Sequence, residues 1–437
     1  MDGLDALWAT DIVDGPVIIV VFTLSALALV YLLLRPPIRR WALTTLIAVS
    51  AGALVAVLIW FVTVRTFNLF GMSLGHGTYL WLAATCAGIS LAIANLWRAR
   101  RLRRSVSAAA VVLFLVAGTL GINAGFGLDR TLGSLLGIST LKPIALTPPS
   151  GAPTASHPAG PLWRNWTPPA GLPSAGTIGT QVIPNTISGF SSRPAGIYLP
   201  PAALVPDAPA LPLVVMLMGQ PGNPDPEYIA ATLDRAAARH GGLAPIVIVA
   251  DQLGDPGLDP LCLDTAAYGR AETFLTQDVV NWARENLNII QDRRYWTIAG
   301  YSNGGQCAVS LAAKHPDLWS NVIDISGEEF LGSEIQAATL RDVFGGDQAA
   351  YDAQKPINLL AGHHYPGTVA VFTVGSDDTG FIPGQRLLAA AAEKAGMAVT
   401  YWESPNGGHV LPALTDGLDK AFQVLYPQLG LAPPTAR

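Results

Sequence analysis

The chain has 437 residues, half of them hydrophobic and only 13% charged, with a formal net charge of −5. The charged share is about half that of an ordinary soluble domain, which calls for a membrane component, and the mild negative balance gives no case for nucleic acid. Three cysteines, Cys86, Cys262 and Cys307, stand in no CxxC or Cys/His spacing, so no metal site and no cofactor are implied.

Four apolar stretches fill the first 130 residues, at about 16–34, 42–62, 78–97 and 106–126. Each approaches the roughly 20 residues a helix needs to cross a bilayer. None has a charged residue in its interior, and four such stretches in a row are a poor match for buried core helices. Residues 1–130 are therefore expected to form a four-helix transmembrane region with the lipid bilayer as partner. The first stretch is no signal peptide: Asp2, Asp5, Asp11 and Asp14 precede it and a basic loop follows. Arg35, Arg39 and Arg40 follow the first stretch, and Arg98, Arg100, Arg101, Arg103 and Arg104 follow the third. The second loop has only Arg65. Positive loops stay in the cytoplasm, so both termini and everything after residue 126 are expected outside it. Gly121 and Gly125 form a small-xxx-small pair suited to helix packing.

Residues 131–176 read as a linker, rich in Pro, Ala, Gly and Ser from residue 147 onward. Within it Trp163 and Trp166 either touch the membrane interface or pack on the next domain. From 177 to 437, strand-like runs at 211–218, 245–250, 295–299, 321–326, 369–374 and 399–403 alternate with helical patterns at 226–240, 272–287, 302–315, 384–395 and 411–426. Such alternation predicts a mostly parallel sheet with helices on both faces.

The sharpest motif is Gly300-Tyr301-Ser302-Asn303-Gly304-Gly305, between an apolar run and a helix. GxSxG alone is a weak signal. Strand before and helix after turn it into a nucleophile elbow, in which flanking glycines permit a bend too tight for side chains. This architecture orders its triad Ser, acid, His. Of the histidines after Ser302, His315 ends the following helix, and His363 and His364 precede any candidate acid. His409, in Asn406-Gly407-Gly408-His409 before the last helix, is left as the base. The acid follows the 369–374 strand in Gly375-Ser376-Asp377-Asp378, where the usual spacing selects Asp378, with Asp377 as runner-up. Two backbone amides are needed for an oxyanion hole: Asn303, just after the nucleophile, and Gln220, in Gly219-Gln220-Pro221-Gly222 after the 211–218 strand.

These features resemble the esterase branch of the α/β hydrolases, which includes esterase D-like enzymes and the mycolyltransferases of actinobacterial envelopes. The resembling stretches are RPAGIYLP at 193–200, ETFL at 272–275, the elbow through His315-Pro316-Asp317, and Gly407-Gly408-His409. The resemblance spans roughly 177 to the end and implies ester hydrolysis or acyl transfer through an acyl-serine. The mycolyltransferases carry Glu as the acid where this chain offers Asp378, which argues against mycolyl transfer in particular. A four-span region fused to such a domain is similar to envelope proteins of high-GC actinobacteria. In an external compartment Cys262 and Cys307 are free to bridge, pinning the 259–264 loop beside the elbow; the alternative is two buried thiols. Asp264 would then face the pocket and bind a polar acceptor. The expected function is a membrane-anchored serine esterase or acyltransferase acting on a lipid, glycolipid or other envelope ester. An inactive scaffold with this fold, or a serine peptidase, are the alternatives.

Overall fold

A computed structural model describes residues 3–67, 74–146, 160–405 and 407–434. The chain divides into two compact units, Met1–Thr140 and Leu141–Arg437.

The amino-terminal unit contains α1 (Pro16–Leu33), α2 (Ile38–Trp60), α3 (His76–Leu96) and α4 (Arg101–Phe126). All four are long and apolar enough to cross a membrane. α2 runs on through a π-helical turn, Phe61–Thr66. α1 starts with Pro16, whose missing N–H costs nothing in a first turn. α4 ends at Gly127 with φ 72°, the left-handed cap that favours glycine. Packing runs in series: α1 on α4, α4 on α3, α3 on α2. Small residues allow the close approach, Gly52 against the backbone of Ala87 and Gly118 against Thr85. Of the expected glycine pair, Gly121 lies under Trp81 and Gly125 meets open space. Arg35 donates to the carbonyls of Trp97 and Arg98, and Arg103 to Asn95 Oδ1 and the Leu34 carbonyl, tying the helix ends together. At the other end Arg130 pairs with Asp11 and Asp14.

The second unit is built on an eight-stranded sheet: β1 (Thr177–Gln181), β2 (Ala195–Leu199), β3 (Leu213–Leu217), β4 (Ile246–Ala250), β5 (Trp296–Tyr301), β6 (Asn321–Ile325), β7 (Val369–Gly375) and β8 (Ala398–Ser404). Their order across the sheet is β1-β2-β4-β3-β5-β6-β7-β8. β1 and β2 pair antiparallel, β2 joins β4 antiparallel, and all other pairs are parallel. β3 (LVVML) and β4 (IVIVA) are apolar throughout and fully buried, as strands covered on both faces must be. The covering helices are α5 (Glu227–Arg239), α6 (Val279–Asn286), α7 (Asn303–Lys314), α8 (Ile382–Lys394) and α9 (Leu411–Gln428). Alternation along β6 separates the faces. Asp324 points at Gly305 of α7 and Gln385 of α8, and Ile325 at Gly417 of α9. This is the α/β-hydrolase fold.

Three features differ from the sequence expectation. β1 and β2 have no counterpart in the strand reading. The 272–287 helix is broken into a turn at Ala271–Thr273, a π-helical stretch at Phe274–Asp278 and α6. The described parts of 131–176 are not a free spacer. Residues 131–140 belong to the first unit, where Leu132 N–H donates to the Thr10 carbonyl. Lys142 and Ile144 extend the edge of β1 through Thr180, Trp163 N–H donates to the Gly430 carbonyl, and Trp166 Nε1 donates to the Gly241 carbonyl at 2.8 Å. Leu162, Trp163 and Trp166 give this Pro-rich segment apolar surface to bury. Residues 147–159 lie outside the described residues.

Candidate active site

The elbow is enforced by main chain meeting main chain. A Cβ on Gly300 would overlap the carbonyl of Gly304, and one on Gly304 would overlap the carbonyl of Leu217. Between them Ser302 takes φ 56°, ψ −121°, a conformation a non-glycine residue holds only when its surroundings dictate it. Ser302 N–H donates to the Ile325 carbonyl of β6, and the Ser302 carbonyl accepts from Gly305 and Gln306 as α7 begins. The side chain projects beyond the ends of the parallel strands, where such sheets bind ligands.

Ser302 Oγ lies 2.8 Å from His409 Nε2, and His409 Nδ1 lies 2.7 Å from Asp378 Oδ2. A carboxylate only accepts, so Nδ1 carries the ring proton and Nε2 accepts from the serine hydroxyl. The imidazole is clamped between two rings, Phe381 at 4.1 Å and Tyr301 at 5.2 Å between centroids. The loops bearing acid and histidine interlock: Asp377 N–H donates to the Gly407 carbonyl, and a Cβ on Gly375 would overlap that same carbonyl. Asp378 is buried, whereas Asp377 is exposed. Asn406, at the head of the histidine loop, lies outside the described residues.

Gln220 follows Gly219, whose added Cβ would sit 3.2 Å from Ser302 Cβ, so this loop runs beside Ser302. Asn303 is the first residue of α7, where a backbone N–H has no acceptor within the helix. Sequence reasoning missed what holds the Gln220 loop. Arg193 donates from Nε and Nη2 to the buried carboxylate of Asp251, from Nη1 to Asn223 Oδ1, and from Nη2 to the Gly222 carbonyl. Its only sequence signal was membership of the RPAGIYLP stretch. Gln252 Nε2 adds a bond to the Met218 carbonyl.

Cys262 and Cys307 form a disulfide, with Cα atoms 5.7 Å apart, that fixes the 259–263 loop to α7. Leu261, Leu263, Leu331 and Tyr351 make a small core of their own there. Asp259 hydrogen-bonds the Asn303 side chain, and burial pushes its carboxyl above the ordinary range. Glu328 is pushed well up by burial and by the charges of Asp259 and Glu334. Glu334 rises to about 7, from burial and then from Asp259. Asp264 does not join this group. It accepts from the backbone and hydroxyl of Thr273 and lies 3.7 Å from Arg270, so a local helix start takes up its charge instead of a ligand. His315 bonds Glu272, which also accepts from Lys314. His363 and His364 are exposed. Among the described residues no cluster of His, Cys, Asp and Glu could hold a metal ion.

Chemically, a hydroxyl backed by an imidazole and a carboxylate can lose its proton as it attacks a carbonyl. Comparison with known proteins agrees with this chemistry. Residues 191–401, just under half of the chain, match the model of the family described as "Putative esterase". The matched segment lies within the second unit and spans β3 to β7 together with Ser302 and Asp378. The chain is 32% identical over 270 residues to an uncharacterised protein of Corynebacterium glutamicum, an alignment covering 60% of this chain and 62% of that relative's length. Among solved structures it is similar to a ferulic acid esterase (18% identity, TM-score 0.49, covering 59% of this chain and 98% of that one). It is also similar to an S-formylglutathione hydrolase from Agrobacterium tumefaciens (17%, TM-score 0.48, 59% and 97%).

Proposed function

We propose that the chain is a membrane-anchored serine esterase or acyltransferase that works through an acyl-serine on a lipid, glycolipid or other cell-envelope ester. The observation that carries this reading is the continuous line from Ser302 Oγ through His409 to Asp378. Ser302 Oγ attacks the ester carbonyl while His409 Nε2 takes its proton, and Asp378 steadies the imidazolium that results. The tetrahedral oxyanion accepts from the N–H groups of Gln220 and Asn303. Collapse breaks the bond to the leaving alcohol, which takes the proton from His409, and leaves the acyl group on Ser302. Water or an acceptor alcohol, deprotonated by the same imidazole, then releases the acyl group as acid or new ester.

The four apolar helices would anchor this unit, with the arginine-rich loops in the cytoplasm and both termini outside it. An external location also suits the Cys262–Cys307 bridge. A fluorophosphonate probe tests the chemistry. Wild type should label covalently and Ser302→Ala should not, with ester turnover down at least about 10³-fold. Equal labelling of the two proteins would refute Ser302 as nucleophile.

A further inference from the structure

We propose that the amino-terminal unit carries a built site for one anionic phospholipid, an acyl chain lying between α1 and α2 and its phosphate held by arginines at the end of that cleft. The proposal rests on the reading that the four helices cross a membrane.

The serial packing of the helices is what makes the site. α1 packs on α4 and α2 on α3, and though only residues 34–37 join α1 to α2, these two do not pack on one another comparably. The bundle is therefore open on one side. The opening is a cavity of about 530 Å³, walled by Phe22 and Leu29 of α1 and floored by Trp81, Thr85, Phe114 and Gly118 of α3 and α4. A second cavity of about 450 Å³, lined by Trp41, Thr45 and Leu46, continues it, and Leu33 and Val49 border both. Together they form an apolar track toward the ends of the helices where α1 stops and α2 begins. A helix laid in such a track would be about 10 Å across and about 30 Å long, several times the volume available. A single alkyl chain fits the space.

Charge identifies the head group. Arg39 and Arg40 immediately precede Trp41, where the track ends, and Arg100, Arg101 and Arg104 stand at the start of α4 at the same end of the unit. All five are exposed, and Arg35 and Arg103 beside them are already committed to carbonyls. The acidic residues described in this unit, Asp5, Asp11, Asp14 and Asp129, lie with Arg130 at the opposite end. Among the described residues of this unit the mouth of the track is thus cationic with no carboxylate beside it, which suits a phosphate and gives a neutral zwitterion less. Such charge next to an anionic leaflet is worth about a fivefold change in affinity per arginine.

The test is native mass spectrometry of the full chain after equilibration with vesicles of equal phosphatidylglycerol and phosphatidylcholine. Wild type should retain one phosphatidylglycerol per chain, at least about tenfold over phosphatidylcholine. Ala26→Phe with Ala84→Phe, at exposed positions lining the cleft, should abolish retention of both lipids. Arg39→Gln with Arg40→Gln should leave a lipid bound and erase most of the preference, which keeps the proposal testable if the filled variant misfolds. Equal retention of the two lipids by wild type, or unchanged selectivity in the arginine variant, overturns the site. A chain that carbonate washing strips from membranes overturns the anchoring as well. A chain that stays embedded yet retains no lipid overturns this site alone.

Discussion

The two units dispose their apolar side chains in opposite ways. In the second unit large hydrophobics are inside: β3, β4 and β5 are buried at every position, and few residues such as Val182 break the rule at the surface. In the first unit the pattern is inverted. Leu27, Leu54, Leu80 and Val112 are each more than 60% exposed, while the buried positions include Asn95, Ser107 and Asn123. Asn95 faces inward and donates to the carbonyl of Leu32 on α1 and to that of Leu91 on its own helix. A helix whose outer face is apolar all round belongs in lipid, and the contrast shows that hydrophobicity alone does not define a core. The solvent each face expects decides which side is inside.

The widest break in that comparison should come from cutting the chain at the boundary between the units. Residues 141–437 expressed alone should stay soluble without detergent and label with fluorophosphonate, while the full chain should require detergent. Insolubility of the fragment on ultracentrifugation would mean that the second unit is not self-sufficient. A smaller effect is expected from Arg193→Met. It removes the guanidinium from the buried Asp251 carboxylate, which keeps only the backbone donors of residue 193, Leu253 and Gly254, and losing one partner of a buried pair costs up to about 3–5 kcal/mol. Chemical denaturation of the 141–437 fragment measures this, and a loss under about 1 kcal/mol would refute a supporting role for the pair. Turnover should fall more than global stability explains, since the same guanidinium holds the Gly219–Asn223 loop.

The smallest effect sharpens the contrast by pH. The Glu334 carboxyl is raised to about 7, so the folded state favours its protonated form over the unfolded state, whose group titrates near the ordinary value of 4.5. Its favourable contribution is complete below about pH 4.5 and is lost as pH climbs to about 7. Glu334→Gln should therefore melt higher than wild type at pH 8, with the difference shrinking at pH 5. A difference that grows on acidification would contradict the assignment. In the first unit burial likewise raises the carboxyl of Asp129, just after α4.

Much of this was legible because chemistry forced particular residue types into short windows. The glycines of the elbow are dictated by backbone overlap, and the four uncharged stretches form helices long and apolar enough to cross a membrane. Each signal is local, so a single sequence exposes it. Ser302, Asp378 and His409 were chosen by motif order, and the fold brings their side chains into hydrogen-bond contact. What was not legible depends on distant partners. β1 (TIGTQ) is a short, partly polar edge strand with only one buried residue, so no apolar run announces it. Arg193 and Asp251 are 58 positions apart, and neither type is informative until folding joins them. Phe381 reads as one more apolar residue at a helix start, and its ring over His409 emerges only in three dimensions. Asp264 misled in the opposite way, since position near a candidate pocket says nothing about which local donor claims a carboxylate first.

The main-chain crossing at Gly300 and Gly304 has a consequence for how such an enzyme can diversify. The bend that carries Ser302 is held by atoms every residue possesses, so its backbone conformation does not depend on which side chains the neighbouring loops carry. The short helices between β6 and β7 are free of that main-chain crossing, whereas the 259–263 loop is tied to α7 by the Cys262–Cys307 bridge. Innovation in what the enzyme recognises is thereby uncoupled from preservation of what it does. The vulnerable sites for lineage-ending mutations are the glycines, where any side chain would overlap main-chain atoms.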